Sequence, residues 1–486
     1  MADSSALITS DIPARLDALP FSRWHWRILV GLGTVWILDG LEVTIVGNVA
    51  GRIGQPGSGL HLAASSISGF GATDYVIGAC SGALFFGWLT DRLGRKRLFM
   101  ITLGVYLLGT AMTGLSFAPW WFFVFRFVTG FGIGGEYASI NSAIDELIPA
   151  ARRGAVDVAV NGTYWAGAIG GALLSIVALN PSVLPGDIGW RVCFGLGVVL
   201  GFSILLVRRS VPESPRWLLM HGRTEEAEAI VADAERAIAA STGAPVPAPT
   251  EPSITFRAHR SVSILTVVRT LVRRYPRRTV LGFSLFVGQS FLYNAITFGY
   301  ATILIKLFGV SADRTGYYFA IIAAGNLIGP LVLAPLFDSL GRRLMVSGLH
   351  VLPGVLLLVT ALLTRDGVLD AATMTLAWSV VLFFASAGAS SSYLTVSEIF
   401  PMETRSISIG VFYAAGTGVG GAIGPLVFAS LTKAGDPHKV ALAFAIGGVL
   451  IIISGLISFW LAVPAERRGL EAVARPLTAV ETAADN

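Results

Sequence analysis

Three ionisable residues in this chain stand where water should not reach. Asp39 and Glu42 lie inside the first long apolar run, and Arg126 is the only basic residue well inside a later one. Positions three apart share a helix face, so the two carboxylates point the same way. Charge at mid-bilayer is costly unless it is paired or neutralised, which makes each such residue functional by default. With a rise of about 1.5 Å per residue, Asp39 lies about 18 Å and Glu42 about 22 Å beyond Arg27, while Arg126 lies about 21 Å from that same surface. The three share a level. A carboxylate beside a fixed guanidinium holds or loses its proton on small changes of access, because the charge and the burial act in opposite senses. That is the chemistry of proton coupling; the plainer alternative is an ion pair that locks helix one to helix four. Asp74, in helix two, is a further intramembrane carboxylate with no evident partner.

The elements that hold these residues are read from hydropathy. Of 486 residues 54% are hydrophobic and only 13% charged, against about a quarter charged in a soluble protein. Runs of about 18 apolar residues place helices near 27–49, 67–88, 98–117, 120–143, 158–180 and 190–207, then near 279–307, 314–337, 344–363, 371–395, 406–430 and 438–462. About 27 of the 35 Lys and Arg fall in loops and tails on the side of Arg95, which marks that side as cytosolic, with both termini there. The basic excess reflects topology rather than a nucleic-acid partner, since the cations sit at segment ends without a basic aromatic face. Residues 1–26 are not expected to act as a signal peptide, because Asp11, Arg15, Asp17 and Arg23 interrupt any apolar core. Cys80 and Cys193 lie in apolar runs, so no disulfide framework is expected.

The organisation that follows is a cytosolic segment 1–26, a six-helix bundle 27–207, a cytosolic connector 208–278, a second bundle 279–462 and a cytosolic tail 463–486. Within the connector, Thr224 to Ala240 reads as a surface helix, Gly243 to Pro252 as a Pro-rich linker, and Ile264 to Arg274 as an amphipathic piece on the membrane surface. Residues 465–486 read as a mostly disordered tail. Clustered glycines, Gly130, Gly132, Gly134, Gly135, Gly167, Gly170 and Gly171, then Gly416, Gly418, Gly420, Gly421 and Gly424, allow close helix approach.

The stretch Gly87-Trp-Leu-Thr-Asp91-Arg92-Leu-Gly-Arg95-Lys-Arg97 recurs as Asp338-Ser-Leu-Gly-Arg342-Arg343, each time between two apolar segments. It resembles the loop between helices two and three of the major facilitator superfamily, whose fold is all-α, with twelve transmembrane helices in two pseudo-symmetric bundles. Pro212-Glu213-Ser214-Pro215-Arg216-Trp217-Leu218, with Gly222-Arg223 after it, resembles the sugar porter signature that follows helix six. Glu146 before Pro149 and Arg153, and Glu398 before Pro401 and Arg405, end helices where the two arginine loops arrive. Glu146 is expected to pair with Arg92 or Arg95, and Glu398 with Arg342 or Arg343. Together with Asp91, Asp338 and Arg405 these residues would form a cytosolic gate, or else anchor the loops permanently.

Asp39-Gly-Leu-Glu42 resembles the helix-one signature of aromatic acid:proton symporters, with Glu at position 42 where that family has Asp. Glu136 resembles a helix-four feature of metabolite:proton symporters and suits packing or gating as well as coupling. Polar residues at mid-depth, Asn161, Tyr164, Trp165, Gln289, Tyr293, Asn294, Asn326 and Tyr393, are expected to line the substrate cavity with Arg126. Gln289 and Asn294 resemble two helix-seven positions of sugar porters, but Gly288, Tyr393 and Asn161 depart from that pattern at contact positions. The set suits a small aromatic or carboxylated metabolite at least as well as a sugar.

The expected function is proton-coupled import of a small organic solute by a monomer in the plasma (inner) membrane. The alternatives are a drug- or metabolite-exporting antiporter, whose helix-five Gly-Pro signature is missing here, and a non-transporting nutrient sensor. No nucleophile with its base, phosphate loop, metal cluster or cofactor motif points to an enzyme.

Overall fold

The protein, represented by a computed structural model, is described over residues 7–480 apart from 56, 61, 63–65, 209–210, 250, 259–262, 298, 312–313 and 433. The side chains of residues 68, 69, 206–208, 294, 422, 425, 426 and 429 also lie outside that description. Helix dominates because a chain in lipid must satisfy its own backbone hydrogen bonds. The first half runs α1 (Ile12–Ala18), α2 (Arg23–Ile53), α3 (Ala72–Leu93), α4 (Arg95–Gly114), α5 (Pro119–Leu147), α6 (Arg153–Gly162), α7 (Tyr164–Ala178) and α8 (Gly186–Arg208). The connector holds α9 (Pro215–Met220), α10 (Thr224–Thr242) and α11 (Ile264–Arg274). The second half runs α12 (Pro276–Thr297), α13 (Tyr300–Phe308), α14 (Thr315–Ser339), α15 (Arg342–Arg365), α16 (Ala371–Ile399), α17 (Arg405–Thr432) and α18 (Pro437–Leu461), and α19 (Leu470–Val473) lies in the tail.

Among the described residues, nine helical stretches are long and apolar enough to cross a membrane. With α3, α5 and α17 they fall on the twelve ranges expected from hydropathy. Two of the ranges are broken. The fifth is divided at Thr163, whose hydroxyl bonds Val160 O at 2.6 Å and Gly33 O at 3.3 Å and so competes with the helical ladder.

The duplicated arginine loops are also duplicated in backbone. Gly94 sits at φ 90°, ψ 160° and Gly341 at φ 89°, ψ 159°, a region open essentially to glycine alone. Gly94 therefore turns the chain between α3 and α4 in one residue, and Gly341 with Leu340 does so between α14 and α15. The two halves meet where α6 packs on α14 and α3 on α17. A Cβ on Gly410 would stand 2.4 Å from Ala83 O, and one on Gly162 would stand 2.5 Å from the Pro330 ring, so both contacts need a missing side chain.

A small extramembrane layer covers the arginine-rich face. β1 (Leu7–Ser10) pairs antiparallel with β2 (Ile254–Arg257), Leu7 opposite Arg257 and Ser10 opposite Ile254. Helix α10 buries Ala227, Val231, Ala234 and Ile238, a helical stripe, against Ile12, Leu16 and Trp217. The tail is ordered through residue 480, contrary to the disorder expected from composition. Glu471 pairs with Arg216 at 2.9 Å, Thr478 donates twice to Glu403, and Val480 N bonds Thr255 O at 3.0 Å. Its contacts are polar and distant in sequence, so no periodicity announces them.

Candidate functional site

The ionisable cluster forms where α2, α3 and α5 meet. Glu42 accepts from Arg126 at 2.5 Å, and both side chains are almost completely buried. Asp39 does not share that guanidinium, as its helical phase suggested. Instead it accepts from Tyr75 at 3.1 Å and from Tyr137 through a very short bond. The reason is steric: the Tyr75 ring lies under Arg126, 4.5 Å from ring centre to guanidinium carbon, and fills the space between the two acids. One tyrosine thus links both halves of the cluster. One oxygen of Glu42 and Nε of Arg126 remain buried without a hydrogen bond in the structure.

Tyr75 and Tyr137 were not singled out in the sequence. The usable signal is that Tyr137 follows Arg126 by three helical turns on one face of α5, and that Trp36 precedes Asp39 by three residues. Trp36 stacks on Tyr137 at 4.8 Å, and Tyr137 meets Tyr413 edge-on at 5.0 Å. Tyr393 lies edge-on to Trp36 at 5.8 Å and to Phe286 at 4.9 Å. Aromatic rings of both halves therefore cover the Asp39 site.

The remaining expected substrate residues separate into two places. Trp165 stacks on Tyr293 at 6.3 Å across the two halves, Tyr164 meets Trp165 edge-on at 5.4 Å, and Tyr293 donates to Asn326 at 2.9 Å. Gln289 is half-buried one turn before Tyr293, and the Asn294 side chain lies outside the described residues. Asn161 belongs elsewhere: its amide donates to Asn141 at 3.0 Å and to Asp157 O at 2.8 Å, which draws it into the α5–α6 contact.

At the arginine-rich face, Arg95 pairs with Glu146 at 2.9 Å and Asp91 at 3.4 Å, and Arg405 of the other half reaches the same Glu146 oxygen at 3.4 Å. Arg342 holds Glu398 through two bonds of 2.8 Å and Asp338 at 3.0 Å. Asp338 in turn accepts from Gly154 N at 3.2 Å and Ala155 N at 2.8 Å, so it caps the start of α6 across the two halves. This face is closed. Arg92 and Arg343 take no part in these pairs. Arg92 is exposed and lies on the Trp88 ring at 3.9 Å, and Arg343 donates to Phe459 O at 2.7 Å. The phase of the loops decides it, because only Arg95 and Arg342 follow their aspartates by four residues.

The sugar porter-like segment ties this face to the extramembrane layer. Arg216 binds Glu146 O at 2.6 Å, Asp17 at 2.8 Å and Glu471 at 2.9 Å, and Trp217 donates to Asp91 O at 3.0 Å. Glu213 accepts from Arg95 N at 2.8 Å; burial pushes its carboxyl above the usual value against these bonds.

Comparison with known proteins agrees with this architecture. Residues 51–476 match the family described as "Sugar (and other) transporter". The chain is 28% identical over 458 residues to a niacin transporter of Acinetobacter baylyi, covering 92% of this chain and 96% of that protein. It is 27% identical over 465 residues to the inner membrane metabolite transport protein YdjE of Escherichia coli, covering 92% and 94%. Among solved structures, the proton:xylose symporter XylE superposes with a TM-score of 0.73 at 18% identity, covering 93% of this chain and 99% of that one. A partially occluded inward-open form of XylE from E. coli superposes at 0.63. The chain is a multi-pass membrane protein that belongs to the sugar (and other) transporter family, with the all-α twelve-helix fold of the major facilitator superfamily.

Proposed function

We propose that this transporter imports a small carboxylated metabolite, aromatic or heteroaromatic in character, together with protons, from outside the plasma (inner) membrane to the cytosol. Residues 27–207 and 279–462 act as the two bundles, the arginine-rich face and both termini lie in the cytosol, and the gate is closed on that side. The single observation carrying the reading is the Glu42–Arg126 pair beside Asp39, buried and bridged by Tyr75. A proton taken up by Glu42 frees the guanidinium for the carboxylate of the cargo, so proton and cargo bind together rather than in competition. Trp36, Tyr137, Tyr393 and Tyr413 offer flat faces for an aromatic ring. A relative's name as a niacin transporter fits that class. A sugar is the second reading, favoured by the amides and hydroxyl at Gln289, Asn326 and Tyr293.

The test is uptake into proteoliposomes over a panel of nicotinate, hydroxybenzoates, short carboxylates, hexoses and pentoses, with and without an imposed proton gradient, inside alkaline. Accumulation of an aromatic acid only with the gradient is expected. Gradient-independent uptake, or uptake of sugars alone, contradicts the reading.

A further inference from the structure

A second pair of acids, unrelated to the midplane site, is buried beside the cytosolic gate. Asp145 ends α5 and Asp157 lies in α6; each is 0% exposed. None of their four carboxylate oxygens has a hydrogen-bond partner of good geometry: Ser397 lies near Asp145 and Asn161 near Asp157, but the Ser397 hydroxyl donates to Leu394 O at 2.8 Å. One turn beyond Asp157 on the same face, Asn161 commits its amide to Asn141 and to Asp157 O, which fixes the amide's orientation and leaves its Oδ1 buried and unpartnered as well. Five oxygens are thus gathered where the neighbouring donors, Ser397 and the Asn161 amide, are already spent on other acceptors.

The cations nearby are already engaged. Asp145 faces Glu398, Arg153 and Arg405, and Asp157 faces Asp145, Glu398 and Arg342. Arg153 is held by Asp17, Arg405 by Glu146 and Ser397 O, and Arg342 by Glu398 and Asp338. Two adjacent ionised carboxylates, facing a third across the seam between the halves, would repel in a buried site whose arginines are committed to other acids. A proton shared between them removes one charge and supplies the missing donor.

We propose that Asp145 and Asp157 form a proton-binding site of the cytosolic gate, which holds one proton while the gate is shut and releases it to the cytosol when the two halves part. Asn161 is a positioning residue whose free carbonyl accepts from the protonated acid. The inference rests on alternating access but not on the coupling roles of Asp39 and Glu42. With the proton lost, repulsion of Glu398 pushes the two halves apart, so the gate opens as pH rises.

Spin labels at the exposed positions Arg97 and Leu340, with Cys80 and Cys193 replaced by serine, read the opening by distance measurement in nanodiscs without cargo. Between about pH 5.5 and about pH 8.5 the open-to-closed ratio should rise by up to about tenfold per pH unit in the wild type, the limit for one linked proton. Asp157→Asn and Asp145→Asn should stay closed throughout, and Glu42→Gln should keep the wild-type response. A response that survives in both Asn variants overturns the site, and one abolished by Glu42→Gln alone places the proton at the midplane instead. A ratio set by sodium rather than pH, on exchanging sodium for choline, makes the pair a metal-cation site and also overturns the proposal. Thermal melting gives a readout that needs no opening: the wild-type melting temperature should fall as pH rises and that of Asp157→Asn should not. Equal pH dependence of the two would refute the site even if no transport cycle exists.

Discussion

Arg126 has one guanidinium and two acids within a helical turn, and the structure divides the work. Glu42 takes the charge, Asp39 takes two phenol hydroxyls, and Tyr75 touches both. Arg126→Ala leaves Glu42 buried without a counterion, a change that costs about 3–5 kcal/mol, and should abolish cargo binding as read by calorimetry. Normal binding by this variant would remove the guanidinium from the mechanism. Tyr75→Phe is the subtler test, because it keeps the ring under Arg126 and deletes only the bond to Asp39. Cargo affinity should persist while the pH profile of uptake moves up by about 0.7 of a pH unit, the equivalent of one hydrogen bond of about 1 kcal/mol. An unchanged profile would leave Asp39 outside the coupling. This pairing was only half legible beforehand. Charge and depth brought the three ionisable residues to one level, but a buried tyrosine at helical spacing reads equally as packing, so the bridge between them was hidden.

At the scale of helices and loops, the proposed gate depends on two arginines that follow an aspartate by four residues across a glycine turn. Glu398→Gln removes the charge and one of the two bonds from Arg342 and should raise crosslinking-detected opening of the cytosolic face; an unchanged state distribution would mean that the pair only anchors its loop. The tail is held by a similar pair. Burial raises the Glu471 carboxyl, but Arg216 outweighs it and holds the group below its ordinary value of 4.5. Its stabilising contribution is therefore complete above that ordinary value and is lost as pH falls through the lowered one. Limited proteolysis should leave the tail protected near neutral pH and expose it on acidification, and in Arg216→Ala at every pH. Equal protection of the variant and the wild type would contradict the tether. The twelve helices were legible because bilayer thickness sets the length of an apolar run. The ordered tail and the strand pairing of Leu7–Ser10 with Ile254–Arg257 were not, since partners nearly 250 residues apart leave no local pattern.

Over the whole molecule, the two halves touch through Gly410 against Ala83, Gly162 against Pro330 and the charge pairs of one face, while the ionisable cluster lies deeper, within the first half alone. Rocking one half against the other can therefore exchange access to the cluster without taking it apart. The central claim is that Glu42 carries the proton that releases Arg126 to the cargo. It is tested most directly by Glu42→Gln in proteoliposomes, assayed for accumulation driven by a pH gradient and for exchange of preloaded cargo. The account predicts that accumulation is lost while exchange continues, because glutamine leaves the guanidinium free but cannot take up or release a proton. Accumulation against the cargo gradient at the wild-type rate would contradict it.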